Sequence, residues 1–390
     1  MNALNRVITT LEHEEPDRVP IFGDIIDSIE ILKRFDGPQI FGGLKSLINI
    51  ISWVVGWKKI LGWFYRKLTP IRREYLLKLY KFYKAIGADL TYFGANIPNY
   101  IKFLNKNVVV TDWGSKMRFH RFYGGEETLF YVGGYWRSKE DYESWEIPTV
   151  DDPKVDQILN GFQMIRNEVS DLVLFPTFGE IFGRVWNGFG MELFTKLVYQ
   201  EPEFISKVFN DSGSFTYEKI KRFLELNPPP PIIWMSEDLG QKTGPIISPK
   251  FLKKHLYPWH KRICNLVHKY GSKIIIHSCG NIMELIPDFI ESGFDGLNPI
   301  QSTAQLDIFE INEKYGDKIT LIGNVPMPLL TRGTIQQVKD YTLKLLKHLA
   351  PGGGFIMAAD HSIPPNTIPE NYIEGMIQTT KVYGKYPISL

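Results

Sequence analysis

Cysteine is nearly absent from this chain: Cys264 and Cys279 are its two thiols in 390 residues. That is too few for a disulfide framework and fits a reducing compartment, so the expected location is the cytoplasm. An excess of charge is missing too, since 45 basic and 43 acidic side chains leave a formal charge of +2. Such a balance supplies no broad field to hold nucleic acid. The opening Met1-Asn2-Ala3-Leu4-Asn5-Arg6 lacks the apolar stretch of a secretory signal. No internal repeat or low-complexity tract stands out beyond the four prolines at 228–231, a stiff lead into the run that follows. Nor does a glycine-rich phosphate loop follow any apolar run. Gly352-Gly353-Gly354 precedes one instead, where it suits a turn.

Long apolar runs are also scarce. The most apolar stretch, 44–68, carries Lys58, Lys59, Arg66 and Lys67, and its longest uncharged run is 46–57. A membrane-spanning helix needs roughly 20 such residues. With Trp53, Trp57 and Trp63, the stretch reads as an N-terminal helical insertion. It would either lid a pocket, pack on another subunit of an oligomer, or lie on a partner or a membrane surface.

What is present is a rhythm. Eight short apolar runs occur at 19–23, 89–93, 172–178, 232–235, 273–276, 296–300, 319–322 and 355–358. Helical patterns fall between them, as at 249–270 after Ser248-Pro249 and at 334–349 after Gly333. Eight buried strands alternating with helices predict an α/β fold, a single (β/α)8 TIM barrel over residues 1–390. Residues 108–136, with Thr111-Asp112-Trp113-Gly114 and Tyr123-Gly124-Gly125, read as a small antiparallel excursion from it.

Chemistry in such a barrel lies where the strands end. Asp24, Glu180, Glu237, Asp238, His277, Cys279, Gln301, Asn324, Asp360 and His361 all follow apolar runs closely. Loops are polar in any case, which accounts for an Asn or a Gln better than for two histidines, a cysteine and several acids. The sharpest signal is His277-Ser278-Cys279-Gly280, directly after Lys273-Ile274-Ile275-Ile276. An imidazole and a thiolate two residues apart at a strand end can bind one metal from one side, as zinc sites do. The plainer alternative is a half-buried histidine and a cysteine acting as a small hydrophobe. His255, His260, His268 and Cys264, on the preceding helix, suit packing or surface roles.

Several motifs in order resemble the uroporphyrinogen decarboxylase superfamily. They are Asn5-Arg6-Val7 with His13-Glu14-Glu15-Pro16-Asp17-Arg18-Val19-Pro20, Ser248-Pro249 with Tyr257-Pro258, His277-Ser278-Cys279-Gly280-Asn281, and Ile363-Pro364-Pro365 with Pro369-Glu370-Asn371. The resemblance covers nearly the whole chain apart from 44–68 and part of 108–136. It implies a (β/α)8 barrel and two branches, haem-pathway decarboxylases and zinc-dependent, corrinoid-linked methyltransferases. Decarboxylases carry a Met-Arg-Gln-Ala-Gly-Arg segment that grips porphyrinogen carboxylates, but the matching stretch here, 21–27, has no arginine. The His-x-Cys-Gly motif is similar to that of the methyltransferases, which implies zinc on His277 and Cys279. Where those enzymes place a further cysteine, this chain has Asp360-His361-Ser362, so the resemblance puts His361 in the third ligand position or, as in the decarboxylases, against substrate.

On that resemblance, zinc would activate a thiol or related acceptor, and a methyl group would move between it and a corrinoid (methyl-cobalamin) on a separate small protein. Glu180 and Glu237 are then candidates for a fourth ligand, a gate or a base, and Asp360 for an orienting carboxylate or a turn cap. Asp24, Gln301 and Asn324 are the candidates for cofactor contact. The alternative is a metal-free decarboxylase or lyase acting on a different acidic substrate, with Asp24 or Asp89 stabilising an intermediate and Arg184 and Lys242 supplying cations.

Overall fold

The computed structural model describes residues 1–38, 73–94, 100–105, 107–121, 127–226 and 228–390. The insertion expected at 44–68 lies outside the described residues. Each of the eight apolar runs forms a parallel strand. These are β1 (Phe22–Gly23), β2 (Leu90–Gly94), β7 (Val173–Phe178), β8 (Ile232–Ser236), β11 (Lys273–His277), β12 (Gly296–Asn298), β13 (Thr320–Val325) and β14 (Phe355–Ala359). They pair in chain order. Ile21 bridges Met357, whose amide donates to the Pro20 carbonyl at 2.9 Å, and this brings β14 back to β1. The barrel expected from the sequence is the fold observed.

Alternation along the strands builds two apolar layers. Phe22, Leu90, Val173, Phe175, Ile232, Trp234, Ile275, Ile322, Ile356 and Ala358 fill the barrel, and Val7 and Leu11 of the helix Ala3–Leu11 close its floor. Phe175 stacks on Trp234 with ring centres 5.0 Å apart. Their neighbours of opposite parity, such as Ile233, Ile274, Ile276 and Leu321, join the core beneath the surrounding helices. A side chain two residues beyond an inward apolar one therefore points into the top of the barrel. His277 follows Ile275 in this way.

Between β2 and β7 the chain makes a four-stranded antiparallel sheet of β3 (Tyr100–Asn105), β4 (Val108–Thr111), β5 (Ser115–Arg121) and β6 (Glu127–Gly134). It begins eight residues earlier than the expected 108, because β3 is held by pairing with β4 rather than marked by its own pattern. A two-residue hairpin of β9 (Gly240–Gln241) and β10 (Gly244–Pro245) follows β8. The helix expected over 249–270 is two helices, Pro249–His255 and Tyr257–Lys269. Pro258 has no N–H to bond back to Lys254, so the first helix ends at the turn before it. Thr334 opens the helix Ile335–Leu349 with a capping box shared with Gln337.

The floor carries a charge network built from the first motif. Asp89 accepts from Arg6 at 2.7 Å, from Arg18 at 2.8 Å, and from the Ile21 amide at 2.9 Å. It stands at the start of β2, the opposite end from the mouth. Asp89 is therefore removed from any part in an intermediate at the mouth, the role the lyase alternative gave it.

Candidate functional site

The loop after β11 is zipped to the loop after β8. The Glu237 amide donates to the His277 carbonyl, Gly240 to Cys279, and Asn281 to Gln241. Ser278 accepts the Leu239 amide at 3.1 Å. Gly280 has φ +85°, and a Cβ there would fall 2.3 Å from the Gly240 carbonyl carbon. Only glycine allows both that angle and that approach. The Gln301 amide oxygen holds the Gly280 N–H at 2.9 Å. Each residue of the His-Ser-Cys-Gly-Asn motif thus has a physical task in fixing where Cys279 stands.

His277 is aligned across the sheet with Asn298. Its Nδ1 lies 2.7 Å from Asn298 Oδ1, while Asn298 Nδ2 donates to the Ile322 carbonyl at 3.3 Å. The second bond decides which way the amide faces, so Nδ1 must carry the proton and Nε2 keeps its lone pair. That lone pair faces Cys279 Sγ at 3.4 Å and Asp238 Oδ1 at 3.8 Å. Asp238 Oδ1 also accepts the Cys279 amide at 2.8 Å. Donor atoms of Asp238, His277 and Cys279 all lie within 4.8 Å of one another, and this is the group of such donors found among the described residues.

Electrostatics favour a cation at these donors. Burial, then Asp238, Asp24 and Glu180, push the Cys279 thiol well above its usual range. Burial likewise holds Glu180 well above the carboxylate range, with Asp238 and Glu237 adding to it and Arg184 opposing. Burial also raises Asp24, against the Ile25 amide and the nearby imidazoles of His277 and His361. A positive ion among them would reverse the field that keeps the thiol protonated. One neutral imidazole nitrogen, one sulfur and one carboxylate are a donor set that suits zinc.

The remaining residues singled out in the sequence are placed as follows. Glu237 is fully buried, and its oxygens accept the Ile181 and Phe182 amides at 2.5 and 3.2 Å, at the start of the helix Ile181–Phe189. Asp360 accepts the Ser302 hydroxyl at 2.5 Å and the Met327 amide at 2.9 Å, at the start of the helix Met327–Arg332. Asn324 donates to the Ile300 carbonyl at 3.1 Å and accepts from the Tyr341 hydroxyl at 3.2 Å. His361 is exposed and lies near enough to Asp24 and Asp360 to oppose the rise of their carboxyls; it is not in the three-donor group. Asp238 had a place among the strand-end residues but no assigned role. Asn298 went unmarked, although a polar residue inside the run 296–300 was the available signal.

A profile of the uroporphyrinogen decarboxylase (URO-D) family matches residues 103–383. The methylcobamide:CoM methyltransferase MtaA of Methanosarcina barkeri is 26% identical over 132 residues, 33% of this chain and 37% of that enzyme. The aligned stretch therefore spans little more than a third of that relative. A solved methyltransferase structure from Methanosarcina mazei superposes with a TM-score of 0.68 at 16% identity, over 98% of this chain and 99% of that one. Such low identity shows a shared fold. With the profile covering well over half of the residues, the chain belongs to the uroporphyrinogen decarboxylase family.

Proposed function

We propose that this protein is a methyltransferase that moves a methyl group between a corrinoid on a small partner protein and a thiol or related small-molecule acceptor. The observation that carries this reading is the tautomer lock on His277, which aims Nε2 at Cys279 Sγ. A histidine with only a packing role would not need its second nitrogen held free. His277 and Cys279 would hold zinc, with Asp238 the third donor at hand and His361 the donor that could close the set. Zinc held there would keep an acceptor thiol as its thiolate at neutral pH.

The chain's own residues would do the rest. Glu180, whose carboxyl is pushed well above the usual carboxylate range by burial and then by Asp238 and Glu237, would hold and move a proton at the mouth. Glu237 and Asp360, both on backbone amides, would position the loops that carry Asp238 and His361. Asp24 and Gln301 would border the face presented to the corrinoid, and Asn324, buried between the Ile300 carbonyl and the Tyr341 hydroxyl, would brace the wall behind it. Support against a decarboxylase of the porphyrinogen type comes from the lack of arginine over 21–27. The lyase alternative calls on Arg184, whose guanidinium is already engaged, stacking over Phe215 at 5.3 Å and donating to Thr216 at 2.5 Å.

The test is transfer from free methylcobalamin to a small thiol such as mercaptoethanol, followed by the change in the cobalamin spectrum. Transfer by the wild type that is lost in a folded Cys279→Ser variant is the expected result. Transfer unaffected by that substitution would sink the proposal.

A further inference from the structure

A cavity of about 340 Å³ opens at the floor of the barrel, bounded by the helix Ala3–Leu11, the helix over 73–86, the turn before β7 and the helix Thr379–Tyr383. Four basic side chains line it, Arg6, Arg18, Lys84 and Lys381, against two acids, Asp89 and Asp171. The Met1 amino group lies there too, held by Asp17 at 3.2 Å. Four cations against two carboxylates leave the wall with two unmatched positive charges. At about 30 Å³ per liquid water there is room for roughly eleven waters, or for a small organic anion.

Asp89 has nothing left to offer a further cation. Its oxygens accept from Arg6 at 2.7 Å, twice from Arg18 at 2.8 Å, and from the Ile21 amide at 2.9 Å. That fills the roughly four lone-pair sites of a carboxylate. Asp171 is taken by Lys84 at 2.5 Å. The half-buried Lys381 has neither a side-chain hydrogen bond nor an ion pair among the described residues. Its ammonium lies across Gly87, where a Cβ would fall 1.9 Å from Nζ. Burial, then the charge of Arg18, lowers the Lys381 pKa against the opposing pull of Asp89, so more of it is free amine than in an exposed lysine. The neighbouring cations keep donors beyond the partners they already hold. Arg18 gives three of its N–H groups, one to the Val19 carbonyl and two to Asp89, and a guanidinium has five. Lys84 gives one to Asp171, and an ammonium has three.

We propose that Lys381 is a modification site, acylated by small acyl phosphates whose phosphoryl group is received by the spare N–H groups of Arg18 and Lys84. A phosphoryl dianion matches the two unmatched charges of the wall, and it sets the attached acyl carbon beside Nζ. The free amine attacks that carbon. The N–C bond forms, the C–O bond to phosphate breaks, inorganic phosphate leaves with that electron pair, and one proton passes from nitrogen to water. The amide that results carries no charge, so the floor loses one cation and Arg18 loses the repulsion of a neighbour. The assignment is independent of the chemistry at the mouth, which lies at the other end of the barrel.

The full chain, incubated with acetyl phosphate at about pH 8 and followed lysine by lysine by peptide mass spectrometry, tests it. Lys261 and Lys347, both exposed, are the references. Lys381 should react at least about tenfold faster than either, since a charged cleft concentrates a counter-ion by about 10- to 1,000-fold. Inorganic phosphate should compete at Lys381 and not at the references. It should leave the reaction of Lys381 with the uncharged N-hydroxysuccinimide ester of acetate unaffected. Arg18→Gln should remove most of the preference for Lys381 with acetyl phosphate. If that variant does not fold, phosphate competition in the wild type decides. Lys381 reacting no faster than the references would overturn the proposal. So would a preference that phosphate does not reduce, or one that a folded Arg18→Gln retains.

Discussion

Asn298 controls which nitrogen His277 offers, and it does so from a neighbouring strand rather than a neighbouring position in sequence. Replacing it with leucine removes the acceptor at 2.7 Å from Nδ1 while keeping the size of the side chain. Loss of such an orienting partner typically weakens metal binding about 10- to 100-fold. Zinc affinity of Asn298→Leu, measured by competition with a chromophoric chelator, should fall by that amount. An unchanged affinity would mean that His277 is not a ligand through Nε2. The residue scale is also where the sequence was hardest to read. His277 and Cys279 stood out because two chemically rare groups are two positions apart. Asp238 and Asn298 reach the same point from β8 and β12 through strand pairing, and register between distant strands leaves no local trace.

At the scale of elements, the short helix Met327–Arg332 shows how the mouth is held. Asp360 takes its first amide, and Asn371 Nδ2 donates to the Leu329 and Gly333 carbonyls at its end, at 3.1 and 2.8 Å. A six-residue helix has too few internal bonds to persist alone, so these side chains matter more than usual. Asp360→Ala leaves the Met327 amide and the Ser302 hydroxyl without their acceptor, at a cost of about 1–3 kcal/mol. Urea unfolding should report that loss, and hydrogen exchange should quicken first over Met327–Arg332. Uniform protection across the chain would contradict the capping role. All eight barrel strands were legible because buried parallel strands are apolar on both faces. The break at Pro258 was overlooked because helical periodicity on either side continues through it. The strand Tyr100–Asn105, with mixed Tyr-Ile-Lys-Phe-Leu-Asn composition, gave no clean alternation to find.

The whole molecule separates stability from chemistry along the barrel axis. Arg6, Asp17, Arg18 and Asp89 tie the floor, and Asp238, His277 and Cys279 come together at the mouth. Burial raises Asp17, but its bonds to Arg6 more than reverse this and bring it to about 2 from an ordinary 3.8. A carboxylate depressed on folding stabilises fully above its unfolded value and loses that contribution as the pH falls through its folded one. The stability gap between wild type and Asp17→Asn should therefore be complete at about pH 5 and shrink toward about pH 2, as read by urea unfolding. A gap that stays constant over that window would show Asp17 to be uninvolved. Among the described residues no helix is long and apolar enough to cross a membrane. The most direct test of a metal centre at the mouth is zinc content by mass spectrometry on the purified protein, compared with His277→Ala, Cys279→Ser, Asp238→Asn and His361→Ala. About one zinc per chain in the wild type, lost with His277 or Cys279 and reduced with at least one of the other two, is the predicted result. Metal-free wild type after zinc supplementation, or zinc retained without either His277 or Cys279, would contradict it.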